Sequence, residues 1–275
     1  MMLHCGQFKL DLTRPRVMGI LNVTPDSFSD GGHYSQTATA IQHALSLIEE
    51  GVDILDIGGE STRPNAVPVS LQQELDRVIP VIEGLVAQQI NIPISIDTYK
   101  PEVMRAAINA GASIVNDVRA LQEDGALSVV ANAQVGVCLM HMQGNPQTMQ
   151  DNPTYNNVVQ DVSDFLSLRV AACLAVGITK NRLMIDPGFG FGKTRAHNIA
   201  LIQQLDALMQ LELPLLVGLS RKSVLGQVTG AHVEARLYAS VAAAVIAVLK
   251  GANIVRVHDV KATVEALKVV AAIAE

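Results

Sequence analysis

Short apolar runs rich in Val, Ile and Leu recur along the whole chain and alternate with segments of helical spacing. This alternation restricts the possible folds more than any other feature, because near-continuous apolar runs are typical of strands buried on both faces of a parallel sheet. The eight runs are RVMGILNV (16–23), VDILDIG (52–58), IPISID (92–97), ASIVND (112–117), VGVCLMH (135–141), RLMID (182–186), PLLVGL (214–219) and NIVRVH (253–258).

The segments between these runs have helical spacing; several end in Gly and one opens with Pro, which are usual helix boundaries. They cover residues 37–51, 70–89, 101–111, 125–133, 155–177, 196–210, 233–251 and 260–274. Eight strand-plus-helix units in 275 residues predict an α/β fold, a (β/α)8 TIM barrel. A doubly wound sheet of about six strands is the alternative, but it leaves two units unplaced. Residues 3–12 are predicted to form a short N-terminal hairpin that closes the bottom of the barrel. Because no linker or break in composition is visible, residues 1–275 are predicted to be a single domain.

The composition excludes several classes of protein. Hydrophobic residues make up 49% of the chain and charged residues 17%, which provides a large core and does not fit disorder. A net charge of −6, few aromatic residues and the absence of Trp argue against nucleic-acid binding. Residues 1–16 lack a signal-peptide core, and the longest apolar run (239–249) is too short to cross a bilayer. The three cysteines lie far apart and have neither a disulfide nor a zinc spacing. We therefore predict a cytoplasmic protein with no nucleic-acid or membrane partner.

Polar residues follow every predicted strand. In a barrel all these strand ends meet at the carboxyl-terminal face, where active sites lie, so the sequence predicts a polar pocket there. The residues are Asn22, Asp56, Asp97, Asn116, Asp117, His141, Asp186, Ser220, Arg221, Lys222, Ser223, Arg256 and His258.

The residue types in this pocket indicate its ligand. Several carboxylates with amides can bind a ring edge that carries N–H donors, because carboxylates only accept hydrogen bonds. Lys and Arg on the last strands suit carbonyl and phosphate oxygens. Asn22, Arg256 and His258 fall on the first and last strands, which are neighbours in a closed barrel, and together predict a polyphosphate clamp.

The segment PGFGFGKT (187–194) superficially resembles a phosphate-binding loop. The Walker pattern requires Gly where Pro187 stands, and the glycine spacing is not that of a dinucleotide-binding fingerprint. We predict a tight strand-to-helix turn that brings backbone close to a ligand. No nucleophile with its base is recognisable either, which favours chemistry by ionisation of a good leaving group.

Two long segments, 22–36 and 59–70, follow predicted strands without structure of their own. Long loops in compact domains are usually functional or disordered, and two at equivalent positions favour lids over the pocket.

Eight motifs together resemble the dihydropteroate synthase family, in the family's order from about residue 16 to 261. They are GILNVTPDSFSDGG, DIGGESTRP, ISIDTYKPEV, IVNDV, MHMQGNPQTMQ, MIDPGFGFGK, LLVGLSRKS and IVRVHDV. The resemblance implies a cytoplasmic, homodimeric TIM barrel that condenses 6-hydroxymethyl-7,8-dihydropterin diphosphate with 4-aminobenzoate. The products would be 7,8-dihydropteroate and pyrophosphate, with Mg²⁺ as the cofactor.

The resemblance also implies roles for individual residues. Asp97, Asn116 and Asp186 would bind the pterin N–H edge, with Lys222 on its oxygen and Met140 against the ring. Arg256 would stack on the pterin and, with Asn22 and His258, hold the diphosphate, Asn22 being the Mg²⁺ ligand. Thr62 would contact the diphosphate and Arg63 would help to close the site. The walls of the aminobenzoate pocket, which is also the sulfonamide site, would be Phe28, Pro64, Phe191 and Ser223.

The implied mechanism is departure of pyrophosphate to leave a pterin methylene cation, which Asp97 and Asp186 stabilise and the amine of aminobenzoate attacks. Arg256 and His258 would stabilise the leaving group, and Lys222 is included among the catalytic residues. Two alternatives are a pterin-dependent methyltransferase domain, which has no use for a diphosphate clamp, and a non-catalytic pterin-binding barrel, which would have lost lid or metal residues. The motifs are intact, which favours the synthase.

Overall fold

The structure is a computed structural model that describes residues 1–24, 33–61 and 66–274. Strands and helices alternate along these residues. The strands are β1 (Met2–Cys5), β2 (Phe8–Asp11), β3 (Arg16–Asn22), β4 (Ile54–Gly58), β5 (Ile94–Asp97), β6 (Ile114–Asp117), β7 (Gly136–Met140), β8 (Leu183–Asp186), β9 (Leu216–Val217) and β10 (Ile254–Val257). The α-helices are α1 (His33–Glu49), α2 (Leu71–Ala87), α3 (Pro101–Ala110), α4 (Ala126–Ala131), α5 (Val158–Ala175), α6 (Arg195–Gln203), α7 (Ser223–Thr229), α8 (Leu237–Leu249) and α9 (Val260–Ala274).

Eight of the strands form one parallel sheet in the order β8-β7-β6-β5-β4-β3-β10-β9. The sheet closes on itself, because Ile185 of β8 bridges in parallel to Leu215 and its amide donates to the carbonyl of Pro214 at 2.9 Å. The predicted (β/α)8 barrel is therefore confirmed, and all eight apolar runs contain a barrel strand.

Side chains on each barrel strand alternate between the barrel interior and the layer beneath the helices. On β4, Leu55 and Ile57 pack in the outer core with residues of the helices, whereas Ile54 packs in a separate interior cluster. Since residues two apart on a strand share a face, Asp56 points into the barrel with Ile54. The same spacing on β5 and β10 directs Asp97 and Arg256 inward, and this brings the site residues together.

The predicted N-terminal hairpin is also confirmed. Strands β1 and β2 pair antiparallel, and the amide of Gly6 in their turn donates to the carbonyl of Gln134 at 2.8 Å. Leu3 and Cys5 are fully buried against the lower interior residues of the barrel. The interior is thus apolar at the bottom, so polar chemistry is confined to the opposite, carboxyl-terminal end.

Some predicted boundaries differ from the structure. The predicted helix 196–210 is α6 followed by a 3-10 helix, Leu205–Leu211. Strand β9 has only two residues, and just before it the side-chain oxygen of Asn253 accepts the amide of Leu215 at 2.9 Å. Helix α7 was not among the predicted helical patterns, since seven residues are too few to show a clear period. In the described residues no helix is both long and apolar enough to cross a membrane.

Candidate active site

The inward-facing residues at the carboxyl ends of the strands form a buried cluster of charged and amide side chains, and Arg256 of β10 lies at its centre. The Nε of Arg256 donates to Asp56 Oδ2 at 2.5 Å, and its Nη2 donates to Asp97 Oδ2 at 2.6 Å. The Nδ2 of Asn116 donates to the same Asp56 oxygen at 3.2 Å. Strands β4, β5, β6 and β10 therefore contribute to one hydrogen-bonded network.

The two carboxylates of this network differ in their access to a ligand. The side chain of Asp56 is 0% exposed and that of Asp97 is 13% exposed. Asp97 can contact a molecule in the barrel mouth. Asp56 cannot, and it forms its ion pair with Arg256 deeper in the barrel. The sequence placed Asp56 at a strand end but gave it no role. Its spacing of two residues from Ile54 puts both side chains on one face of the strand, but the sequence does not show that this face is the barrel interior.

Burial and charge set the protonation of this network. Burial raises the pKa of Asp97 to about 7, and Asp56 adds to this rise while Arg256 opposes it. Burial on its own lowers the pKa of Arg256, but Asp56 and Asp97 reverse that effect and raise it, so the guanidinium stays charged. The cluster therefore contains a permanent cation beside a carboxyl group whose pKa is raised by burial.

A second group of contacts surrounds Asp186, at the end of β8. Its Oδ1 accepts the amide of Gly188 at 2.7 Å. Lys222 donates to the carbonyl oxygen of Phe189, and its Nζ lies 4.6 Å from the centroid of the Phe191 ring. Burial raises the pKa of Asp186 and lowers that of Lys222 to about 8, with each residue opposing the shift of the other. These two side chains form an acceptor and a donor on the same side of the barrel mouth.

Two glycines bring the site residues close together. A Cβ at Gly218 would lie 3.8 Å from the Cβ of Arg256 and 3.9 Å from the Nζ of Lys222, so these two cations share one side of the mouth. A Cβ at Gly58 would lie 3.7 Å from Asp97 Oδ2 and 3.9 Å from Asn22 Oδ1. The amide oxygen of Asn22 and the carboxylate of Asp97 therefore both lie next to the space beside Gly58.

The oxygens of Asn22 and Asp97 are a donor set that suits Mg²⁺. Mg²⁺ is commonly held by one or two carboxylates plus the phosphates of a substrate, not by a full protein cage. No group of three or more His, Cys, Asp or Glu side chains in the described ranges could hold a metal ion by itself.

The structure also places the remaining residues of the predicted site. The His258 amide donates to Ser220 Oγ at 3.2 Å and its ring Nδ1 lies 3.1 Å from the same oxygen, which sets the orientation of the imidazole. Met140 is buried, Phe191 is partly buried, and Ser223 is exposed at the start of α7. Phe28, Thr62, Arg63 and Pro64 lie outside the described residues, as do residues 25–32 of the first predicted lid and 62–65 of the second.

Three of the polar strand-end residues do not join the cluster. Asp117 Oδ1 and Oδ2 accept the amides of Arg119 and Leu121 at 2.7 and 2.8 Å, so this carboxylate stabilises a turn. His141 is buried with its Nδ1 2.9 Å from the Nζ of Lys193. Arg221 pairs at the surface with Asp259. Polarity at a strand end therefore did not by itself identify a pocket residue.

Comparisons with known proteins agree with this geometry. The sequence profile of the family described as "Pterin binding enzyme" matches residues 18–258. The chain is 53% identical over 263 residues to the dihydropteroate synthase of Escherichia coli (strain K12), covering 96% of this chain and 93% of the relative.

Solved structures give the same result. A Xanthomonas albilineans dihydropteroate synthase structure with 4-aminobenzoic acid is 54% identical, with a TM-score of 0.94 and coverage of 99% of this chain and 98% of that one. A Yersinia pestis dihydropteroate synthase structure in complex with a sulfonamide drug is 52% identical, with a TM-score of 0.94 and coverage of 100% and 99%.

Proposed function

We propose roles for residues of the barrel mouth on the premise that the chain belongs to the dihydropteroate synthase family of pterin-binding enzymes. The chain is an enzyme that condenses 6-hydroxymethyl-7,8-dihydropterin diphosphate with 4-aminobenzoate, giving 7,8-dihydropteroate and pyrophosphate. The observation that carries the assignment of residues is the Arg256 network with Asp56, Asp97 and Asn116. Similarity to synthases over nearly the whole chain favours this activity over a methyltransferase domain or a non-catalytic barrel.

The pterin is held along its edge by acceptors and donors of the cluster. Asp186 and Asp97 supply carboxylate oxygens for ring and exocyclic N–H groups, and Asn116 supplies an amide. Lys222 donates to the pterin oxygen from the same side of the barrel mouth as Asp186. Met140 packs against the ring from the barrel wall. The partial exposure of Asp97 supports its direct contact with the substrate.

The diphosphate lies above Arg256 and His258, with Asn22 beside it. A guanidinium suits phosphate oxygens because its donors form a rigid fork. Asn22, with Asp97 close by, would hold Mg²⁺, which when bound supplies positive charge to the oxygens of the leaving group. Thr62 would contact the diphosphate end, and Arg63 would help to close the site over it.

The chemical step breaks the bond between the pterin methylene carbon and the diphosphate oxygen, and the electron pair leaves with pyrophosphate. Arg256 stabilises the charge that develops on the leaving oxygens, while Asp97 and Asp186 stabilise the cation left on the pterin methylene. The amine of 4-aminobenzoate then donates its lone pair to this carbon and loses a proton. Exclusion of water from the mouth prevents hydrolysis of the cation.

The aminobenzoate pocket adjoins the pterin at Phe191 and Ser223. The closeness of Phe191 to Lys222 supports this position, because it places an apolar wall beside the pterin site. Phe28 and Pro64 would complete the pocket.

A coupled assay for pyrophosphate tests the proposed function. We expect release only when both substrates are present, and inhibition by a sulfonamide that is relieved by raising the concentration of 4-aminobenzoate. Release at an equal rate without aminobenzoate would instead identify a hydrolase, and a sulfonamide effect independent of aminobenzoate would place the drug elsewhere.

The lowered pKa of Lys222 predicts a pH dependence. Only the protonated amine carries the charge that attracts the pterin oxygen, and burial lowers its pKa to about 8. We therefore expect kcat/KM for the pterin diphosphate to fall as pH rises through about 8. In Lys222→Arg the side chain stays charged to much higher pH, so the fall in kcat/KM near pH 8 should disappear even though the absolute rate is lower. The same fall in Lys222→Arg would assign the titration to another group.

We further propose that the enzyme is a cytoplasmic homodimer. Helix α8 exposes Tyr238, Ala242, Ile246 and Leu249 at spacings of three and four residues, which forms one apolar stripe on its outer face. Exposed apolar surface of this kind is typical of protein interfaces. Sedimentation velocity on the wild type and on Leu249→Glu tests the proposal, with a monomer expected only for the variant.

A further inference from the structure

Lys193, the lysine that follows the GFGFG segment, is only 3% exposed. Its Nζ lies 2.9 Å from Nδ1 of His141, 2.9 Å from the carbonyl oxygen of Gly188 and 3.0 Å from that of Phe191. The carbonyl oxygen of His141 lies farther away, at 3.4 Å, so three carbonyl oxygens and one ring nitrogen surround the amine. His141 belongs to the loop after β7, while Gly188 and Phe191 belong to the loop after β8. Lys193 therefore joins two neighbouring loops at the barrel mouth.

This burial is unusual because Lys193 has no ion-pair partner among the described residues. Burial lowers the pKa of Lys193 well below its ordinary value. A buried amine is unfavourable unless its donors are satisfied, and here the backbone carbonyls of Gly188 and Phe191, with that of His141, converge on it. The contacts between these carbonyls and the amine hold the backbone of residues 188–191 in one conformation.

The backbone of residues 188–192 lies in close contact with the loop after β7. Gly188 has a φ of +67°, and a Cβ there would lie 1.9 Å from the carbonyl oxygen of His141. Gly192 has a φ of +60°, and a Cβ there would lie 2.4 Å from the carbonyl oxygen of Gln143. The two loops are thus in direct backbone contact, which only glycine permits. Lys193 occupies the junction at which they meet.

The segment held by Lys193 supplies three contacts to the site described above. The Gly188 amide donates to Asp186, the Phe189 carbonyl accepts from Lys222, and the Phe191 ring packs against the amine of Lys222. Lys193 itself donates to the carbonyls on either side of Phe189. A shift of this segment therefore moves the partners of both Asp186 and Lys222.

We propose that Lys193 is a positioning residue, which sets the orientation of Asp186 and Lys222 toward the pterin through the backbone of residues 188–191. This inference rests on the proposed roles of Asp186 and Lys222 in pterin binding. Lys193 itself does not contact the substrate. It links the loops after β7 and β8 by hydrogen bonds, and its effect on catalysis is therefore indirect.

The test compares Lys193→Met with Arg182→Met. Arg182 is a matched control: it is also a buried basic side chain, its Nε and Nη2 donate to the carbonyls of Val135 and Val130 at 2.8 Å, and it lies immediately before β8, at the other end from the site. Both variants lose a buried basic side chain that donates to backbone carbonyls, so both should be less stable than the wild type. Only Lys193→Met should change the site.

The measurements are steady-state kinetics with both substrates, at a temperature where each variant is folded, and hydrogen exchange of the Gly188 amide. Misplacement of a binding group by about 1 Å can cost on the order of 100-fold. We expect Lys193→Met to lower kcat/KM for the pterin diphosphate by about 10- to 100-fold and to speed exchange of the Gly188 amide. Arg182→Met should change neither by more than about twofold. If Lys193→Met does not fold, Lys193→Arg replaces it in the test. The longer, planar guanidinium cannot direct its donors to the same acceptors as the lysine amine.

Equal kinetic losses in the Lys193 and Arg182 variants would overturn the proposal, since they would show a general effect of lost stability. Unchanged Gly188 exchange in the Lys193 variant would also overturn it. The exchange measurement needs no substrate, so it separates failure of this proposal from failure of the proposed function, which the wild-type pyrophosphate assay decides.

Discussion

Replacement of Arg256 by methionine is expected to abolish condensation and to lower the free energy of unfolding by about 3–5 kcal/mol, the range for a buried ion pair that loses one partner. The reason is the fully buried Asp56, whose carboxylate receives the Nε of Arg256 at 2.5 Å. Without the guanidinium, the side-chain amide of Asn116 is the one remaining donor to Asp56 among the described residues, and the charge of Asp56 is left uncompensated. Urea denaturation and the pyrophosphate assay measure the two effects separately.

The double variant Arg256→Met/Asp56→Asn separates the structural role of Arg256 from its catalytic role. Removing the buried charge together with its partner should restore most of the lost stability, because replacing both members of a buried pair is often close to neutral. Activity should not return, since no cation remains to stabilise the leaving pyrophosphate. Recovery of activity in the double variant would show that Arg256 serves only to neutralise Asp56. A double variant as unstable as the single one would show that Asp56 is not its main partner.

Replacement of Asp186 by asparagine should weaken binding of the pterin diphosphate by about 10- to 150-fold. The estimate corresponds to one charge-assisted hydrogen bond of about 1.5–3 kcal/mol. Asparagine keeps an oxygen for the Gly188 amide, which Asp186 accepts at 2.7 Å, so the loop after β8 should stay in place. Its NH₂ group would oppose an N–H donor of the pterin instead of accepting from it. Isothermal titration calorimetry measures the change directly.

Asp117→Asn is the matched control for this measurement. Asp117 is also a fully buried carboxylate at the end of a barrel strand, but it accepts backbone amides of Arg119 and Leu121. The same chemical change there should lower stability and leave pterin affinity unaltered. Equal affinities for the wild type and Asp186→Asn would remove Asp186 from the pterin site. Equal losses in the Asp186 and Asp117 variants would point to a general disturbance of the barrel mouth.

The barrel itself could be predicted from the sequence because each strand is buried on both faces. Continuous apolar runs such as residues 135–141 are what a parallel barrel requires, and eight of them at regular intervals leave few other folds. The hairpin at residues 3–12 was also predictable, and Leu3 and Cys5 are fully buried under the barrel.

The roles of individual polar residues were harder to predict, because the strands are buried on both faces. When both faces of a strand are apolar, the run does not show which residues point inward. Asp56 and Asp117 therefore looked equivalent, although one pairs with Arg256 inside the barrel and the other stabilises a turn. Only the register between neighbouring strands separates them, and register depends on residues that are distant in sequence.

Lys193 shows a second limit. The PGFGFGKT segment superficially resembles a phosphate-binding loop, in which the lysine faces the ligand, but Pro187 stands where that pattern requires Gly. The structure directs this lysine into the protein, toward His141 and two carbonyl oxygens. Those acceptors come together only when the loops after β7 and β8 are in contact, and no local pattern encodes that contact.

The pairing of the last barrel strand with the first has a consequence for biosynthesis. Arg256 and Asp56 are 200 residues apart in the chain, and β10 pairs with β3 to complete the barrel. A ribosome makes the carboxylates long before it makes their counter-ion, so the nascent barrel carries two repelling acidic groups in an unfinished interior. Contacts of such long sequence separation form slowly. Acquisition of the native Arg256 contacts therefore coincides with closure of the ring of strands, and catalytic competence reports that the whole chain has folded.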